Sequence, residues 1–127
     1  MWHDAREIHA RCPTGAARRG LHERKALMAD LADGFVAMPG GYGTWDEFCE
    51  VLTWRQLGLH AKPCAVLNVN GYYDPFLAMA DHAVQEGFVR PAHREMLLTD
   101  DNPVRLLERM IAAKVPATDK WDEPALR

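Results

Sequence analysis

Three short apolar runs constrain this chain more than any other feature: Phe35-Val36-Ala37-Met38, Cys64-Ala65-Val66-Leu67-Asn68-Val69 and Met96-Leu97-Leu98-Thr99. None alternates apolar with polar residues, so each reads as a strand buried on both faces. Helical patterns lie between and after them. One is expected from Thr44 to about Leu57, with Phe48, Val51 and Leu52 inward and Gly58 just beyond. Asp74-Pro75 reads as N-cap and first position of the next, with Phe76, Leu77, Ala80, Ala83 and Val84 as its stripe and Gly87 closing it. Asn102-Pro103 repeats that start, and Val104, Leu107, Met110 and Ile111 follow at helical spacing. Strand and helix patterns that alternate in this way predict an α/β fold, a parallel sheet flanked by helices. Three strands are few, because a small open sheet leaves its edges unpaired.

The ends are less legible. Residues 1–20 show no sustained period and are expected to be irregular, with a turn of helix near Ala5–Ala10. Leu27, Met28 and Leu31 recur at helical spacing from about His22, and Asp33-Gly34 reads as a stop. The polar stretch 116–127 is expected to be a loose tail, which leaves 21–115 as the folded domain.

The first apolar run leads into Pro39-Gly40-Gly41-Tyr42-Gly43-Thr44. Three glycines within four residues let the backbone turn tightly and approach a ligand with no side chain between them. The helix that follows offers unpaired N–H groups and the positive end of its dipole. At the carboxyl end of a parallel strand this is where ligands bind, and an anion fits best. The loop is neither a G-x-G-x-x-G fingerprint nor a Walker loop. A plain tight turn is the alternative. Glu47 also carries two readings, since Thr44-x-x-Glu47 has the form of a capping box. The same carboxylate beside a bound phosphosugar could stabilise positive charge or activate water. Arg24 and Lys25 are expected to open the helix ahead of the first strand, and read either as a solvated basic pair or, at a helix start that favours anions, as a grip for phosphate.

Composition excludes several other functions. A formal net charge of -3 provides no field for a nucleic acid backbone. Cys12, Cys49 and Cys64 lie far apart, and the six histidines fall at no metal-ligand spacing, so neither disulfides nor a metal are expected. Trp45 and Trp54 read as packing or interface residues, and Tyr72-Tyr73 as packing at the end of a strand or lining a ligand pocket. No apolar segment is long enough to span a bilayer and the N-terminus has no signal-like core, which makes the cytoplasm the expected compartment.

Taken together, these residues resemble the LOG (LONELY GUY) family, cytokinin-activating phosphoribohydrolases often labelled lysine decarboxylases in error. The resemblance rests on Pro39-Gly40-Gly41-Tyr42-Gly43-Thr44-Trp45-Asp46-Glu47 with Arg24-Lys25 upstream. It continues through Glu50–Gly58, Lys62-Pro63, Asn68–Asp74 and Glu86-Gly87-Phe88, covering roughly residues 21–115. It implies a Rossmann-like fold and hydrolysis of the N-glycosidic bond of a nucleoside 5′-monophosphate, either a cytokinin riboside 5′-monophosphate or AMP. By position, Arg24 and Glu47 match the family's catalytic pair. Lys25, Gly40, Gly41, Tyr42, Gly43, Thr44 and Thr53 match its substrate contacts. The resemblance implies no cofactor, and it implies a homodimer or larger assembly. It also implies a strand–helix–strand segment ahead of Arg24 that residues 1–20 do not match, so the expected fold is an N-terminally truncated one. A nucleotide-binding remnant without catalysis is the competing expectation.

Overall fold

The computed structural model describes residues 14–113, and the chain divides into two compact units after Ala32. The first unit contributes helix α1, Thr14–Leu31. This corrects the expectation of irregular structure through residue 20, because the helix starts eight residues ahead of His22. The cause is intrinsic propensity. Ala16-Ala17-Arg18-Arg19 are strong helix formers and need no apolar period to be helical. Expectations for Ala5–Ala10 and for the tail from Pro116 lie outside the described residues.

The second unit holds β1 (Phe35–Ala37), α2 (Tyr42–Gln56), β2 (Cys64–Leu67), a 3-10 turn (Val69–Gly71) and α3 (Asp74–Gln85). A short helix α4 (Pro91–Glu95), strand β3 (Leu97–Asp100) and helix α5 (Pro103–Ala112) complete it. The strands form a parallel sheet in the order β1-β2-β3, with Phe35 opposite Cys64 and Cys64 opposite Leu97. The fold is the expected α/β architecture, consistent with a Rossmann-like one.

Central strand β2 explains why its run is apolar throughout. All four of its residues are buried, and alternate side chains serve opposite faces. Cys64 and Val66 join Ala37, Phe48, Tyr73 and Leu97 in a core that α2 and α3 cover. Ala65 and Leu67 join Leu106 and Met110 of α5 on the other face. Burial pushes the Cys64 thiol up to about 11, so it stays a neutral packing group.

The last helix corrects one sequence expectation. Val104, Leu107 and Ile111 are exposed, while Leu106 and Met110 face the sheet. The apolar residues of this helix cover more than one face, and burying Leu106 and Met110 also sets two arginines against β3. Arg105 Nη2 lies 2.7 Å from Asp100 Oδ1, and the Arg109 guanidinium donates to the Thr99 carbonyl. Both arginines therefore reach to β3. Asn102 caps the helix as expected, its Oδ1 accepting from the Arg105 amide at 3.0 Å. Helix α4 was not foreseen. Its five residues are held by Arg94, whose Nε lies 2.6 Å from Asp81 on α3.

Candidate active site

Helix α2 begins at Tyr42, two residues ahead of the expected Thr44. Its N-cap is Gly41, which has no side chain to cap the first turn, and the first intrahelical bond runs from the Trp45 amide to the Gly41 carbonyl at 3.1 Å. The amides of Tyr42, Gly43 and Thr44 thus stand at the positive end of the helix without a side-chain cap. Thr44 is the third helical residue, so the expected capping box does not form. Glu47 lies a further turn into the helix, beyond reach of the N-cap amide that a box would need.

That removes the local explanation for Glu47. It sits three residues after Thr44 and four after Gly43, and on a helix these positions share one face. The side chain is half-buried and, among the described residues, forms no hydrogen bond or ion pair.

The glycines differ in what the fold asks of them. A Cβ on Gly40 would lie 2.9 Å from Thr44 Cβ and closer still to its hydroxyl, so packing requires glycine there. Around Gly41 and Gly43 a Cβ would meet nothing within 4 Å. Neither has a left-handed φ. Folding therefore explains Gly40 and leaves Gly41 and Gly43 without a packing reason. Close approach of a ligand supplies one.

The remaining expected site residues are placed less directly. Thr53 lies six residues beyond Glu47, roughly 9 Å along the helix axis. Its hydroxyl donates to the Cys49 carbonyl at 2.7 Å. Tyr42 is 84% exposed and meets Trp45 edge-on at 5.2 Å between ring centroids. Arg24 and Lys25 belong to the other compact unit, where they are the eleventh and twelfth residues of the 18 in α1. They do not open their helix, so the dipole argument for their binding an anion does not hold; the early start of α1 moves its N-terminus away from them.

A cavity of about 570 Å3 beyond β2 and β3 is lined by Asn68, Asn70, Asp74, Thr99, Asp100 and Asp101 among others. Its carboxylates would repel phosphate, and the bonds from Arg105 hold Asp100 far below the usual carboxylate range. Sequence reasoning also left Tyr72 and Tyr73 with no assigned contact. The Tyr73 hydroxyl donates to the Met38 carbonyl and the Tyr72 hydroxyl to the Gly40 carbonyl. Those partners are 35 and 32 residues away, a distance over which no local pattern carries a signal. Among the described residues, no three or more His, Cys, Asp or Glu side chains gather as metal ligands, and no helix is long and apolar enough to cross a membrane.

A three-stranded parallel α/β sheet with a glycine-rich loop running from its first strand into an uncapped helix places this protein among the open α/β domains. A family model described as "possible lysine decarboxylase" matches residues 5–110, and the chain belongs to that family, the one that contains the LOG proteins. It is 54% identical over 89 residues to the cytokinin riboside 5′-monophosphate phosphoribohydrolase LOG of Oryza sativa subsp. japonica, covering 68% of this chain and 37% of that one. Identity to the cytokinin riboside 5′-monophosphate phosphoribohydrolase of Rhodococcoides fascians is 58% over 78 residues, 61% of this chain and 39% of the relative. With LOG7 of Arabidopsis thaliana, which carries the same enzyme name, identity is 46% over 109 residues, 81% and 50% of the two chains. The chain thus spans half or less of the length of these relatives.

Proposed function

We propose that this protein takes part in hydrolysing the N-glycosidic bond of a nucleoside 5′-monophosphate, a cytokinin riboside 5′-monophosphate or AMP, to the free base and ribose 5-phosphate. The observation that carries the reading is the pair Gly41 and Gly43, glycines with open space around them at an uncapped helix start. A 5′-phosphate there would receive the first-turn amides with no Cβ in its path. Glu47, one turn on and unengaged, then faces the ribose. As the C1′–N bond breaks, positive charge builds on the sugar and the electron pair leaves with the base. A fixed carboxylate opposes that charge. Water adds its oxygen to C1′, and its proton balances the departing base. In this reading, which for these residues rests on the family resemblance, Arg24 is catalytic with Glu47, Lys25 and Thr53 contribute contacts, and the names of the relatives support the substrate class.

The test is release of free base from AMP and from isopentenyladenosine 5′-monophosphate, followed by chromatography, with Glu47→Gln alongside. The expected result is release by the wild type and a loss of about a hundredfold or more in the variant, whose melting curve is unchanged. Equal rates in both proteins would remove Glu47 from the mechanism. The competing reading is a nucleotide-binding module without catalysis. It expects saturable AMP binding with the nucleotide recovered intact. A cytoplasmic location and self-association as a homodimer or larger belong to the same proposal. The exposed row Val104, Leu107 and Ile111 on α5 supplies an apolar face for the latter.

A further inference from the structure

We infer that Tyr72 and Tyr73 are positioning residues that set the shape of the glycine loop, with Tyr72 aiming the Gly41 amide at the bound phosphate. This rests on the nucleotide-phosphate reading of that loop.

A segment such as Pro39-Gly40-Gly41 has little conformational preference of its own, because glycine populates much of φ/ψ space. Held loosely, it would lose that freedom only on binding and bind more weakly for it. Two consecutive side chains restrain it from the turn after β2. Tyr73 is only 2% exposed and its ring packs edge-on against Phe76 at 5.9 Å. Its hydroxyl anchors the Met38 carbonyl, just before Pro39. Tyr72 packs edge-on against Tyr73 at 5.0 Å, and its hydroxyl holds the Gly40 carbonyl.

Peptide planarity turns the second of these bonds into an orientation. In a trans peptide the carbonyl of one residue and the N–H of the next point in opposite directions. Fixing the Gly40 carbonyl on Tyr72 therefore drives the Gly41 N–H away from the tyrosines. Fixing the Met38 carbonyl exports no amide, since the next residue is Pro39. The two bonds thus have different roles: Tyr73 anchors the chain and Tyr72 aims a donor. Burial, then the neighbouring Tyr72, holds the Tyr73 phenol above its ordinary value and keeps it a donor.

The turn that presents the tyrosines is itself firmly built. Asn68 Oδ1 accepts from the Tyr73 amide at 2.8 Å and its Nδ2 donates to Asp74 Oδ1 at 2.8 Å. The Asn68 amide donates to the Asp100 carbonyl at 2.9 Å, which ties the turn to the end of β3. Asn70 and Gly71 both take left-handed φ, 51° and 72°. A Cβ on Gly71 would meet Asp74 Oδ2 at 2.6 Å. The Asn68–Asp74 segment is therefore a bracket whose output is two hydroxyls on the loop.

Tyr72→Phe removes one oxygen, keeps the ring edge-on against Tyr73 and leaves a side chain that is 44% exposed in the wild type. Three readouts test the inference: calorimetric affinity for AMP and for adenosine, the KM-against-kcat split for base release, and hydrogen exchange at Gly41 and Tyr42. The expected result is a three- to tenfold loss of AMP affinity, the scale of one lost hydrogen bond. Adenosine affinity, kcat and melting temperature stay unchanged, and the two loop amides exchange faster. If the wild type binds AMP and Tyr72→Phe binds it equally well with the same exchange rates, the positioning role is overturned while the nucleotide reading stands. Equal losses for AMP and adenosine also overturn it, because the effect would then not act through the phosphate. A wild type that binds no AMP overturns both.

Discussion

Gly43 is where the demands of folding and of binding separate most cleanly. It sits in the first turn of α2 with ordinary helical geometry, and an added Cβ would meet open space. Alanine is the better helix former, so Gly43→Ala is expected to leave the melting temperature unchanged or raise it slightly. The same methyl would stand between the first-turn amides and a phosphate. Calorimetric titration with AMP is therefore expected to show at least a tenfold loss of affinity in a protein that melts normally. Gly40→Ala offers the contrast: its Cβ would run into Thr44, so it is expected to lose stability and binding together. A Gly43→Ala variant that binds AMP as well as the wild type would mean that the open space there serves no ligand.

At the scale of elements, α5 shows how a helix with apolar residues on several sides selects the one it buries. Leu106 is 1% exposed and Leu107 is 54% exposed, although both are leucines one position apart. Arg105 and Arg109 both reach Asp100 from that orientation of the helix, Arg109 with its Nη1 3.7 Å away. Leu106→Ala is expected to cost about 2–5 kcal/mol of stability through the cavity left against Ala65 and Leu67. Leu107→Ala, at the exposed position, is expected to stay within about 0.5 kcal/mol. Chemical denaturation of the two variants side by side measures the difference. Helix α1 makes the complementary point. Its N-terminal half includes strong helix formers at Ala16–Arg19 but no apolar period from which its start could be read.

For the molecule as a whole, pH acts through the joint between α2 and β2. Arg55, only 7% exposed, donates from Nη1 to the Lys62 carbonyl at 2.6 Å. Beside it, the Lys62 amide donates to His60 Nδ1 at 3.0 Å, which leaves His60 Nε2 to donate to the Val51 carbonyl at 2.7 Å. The neutral ring is the one this arrangement fits, because Nδ1 must accept. Burial first, and the Arg55 and Lys62 charges after it, lower the His60 pKa against the opposing pull of the Val51 carbonyl. A histidine whose folded pKa lies below its ordinary 6.5 takes up its proton more readily when unfolded. Its contribution to stability is therefore complete above pH 6.5 and is lost as pH falls below that value towards the folded pKa. Thermal melts from pH 8 to pH 5 are expected to decline through this window, and His60→Gln to flatten the decline. A wild-type melting temperature independent of pH there would contradict the assignment.

Much of this was readable in the chain itself. The uniformly apolar runs declared a buried parallel sheet because strands covered on both faces have no polar side to show. The PGGxGTxxE run with Arg24-Lys25 ahead of it placed the chain in its family. Local chemistry also placed Asn102 at its cap, since an N-cap and the amide it serves lie three residues apart. Other features were settled only by contacts between distant segments. Whether Thr44 and Glu47 form a capping box depended on where α2 starts, and the loop ahead of it is held from Tyr72 and Tyr73. Which side of α5 is buried depended on the sheet face that Leu106 and Met110 pack against. In each case the deciding contacts join segments far apart in sequence, where no local pattern carries a signal.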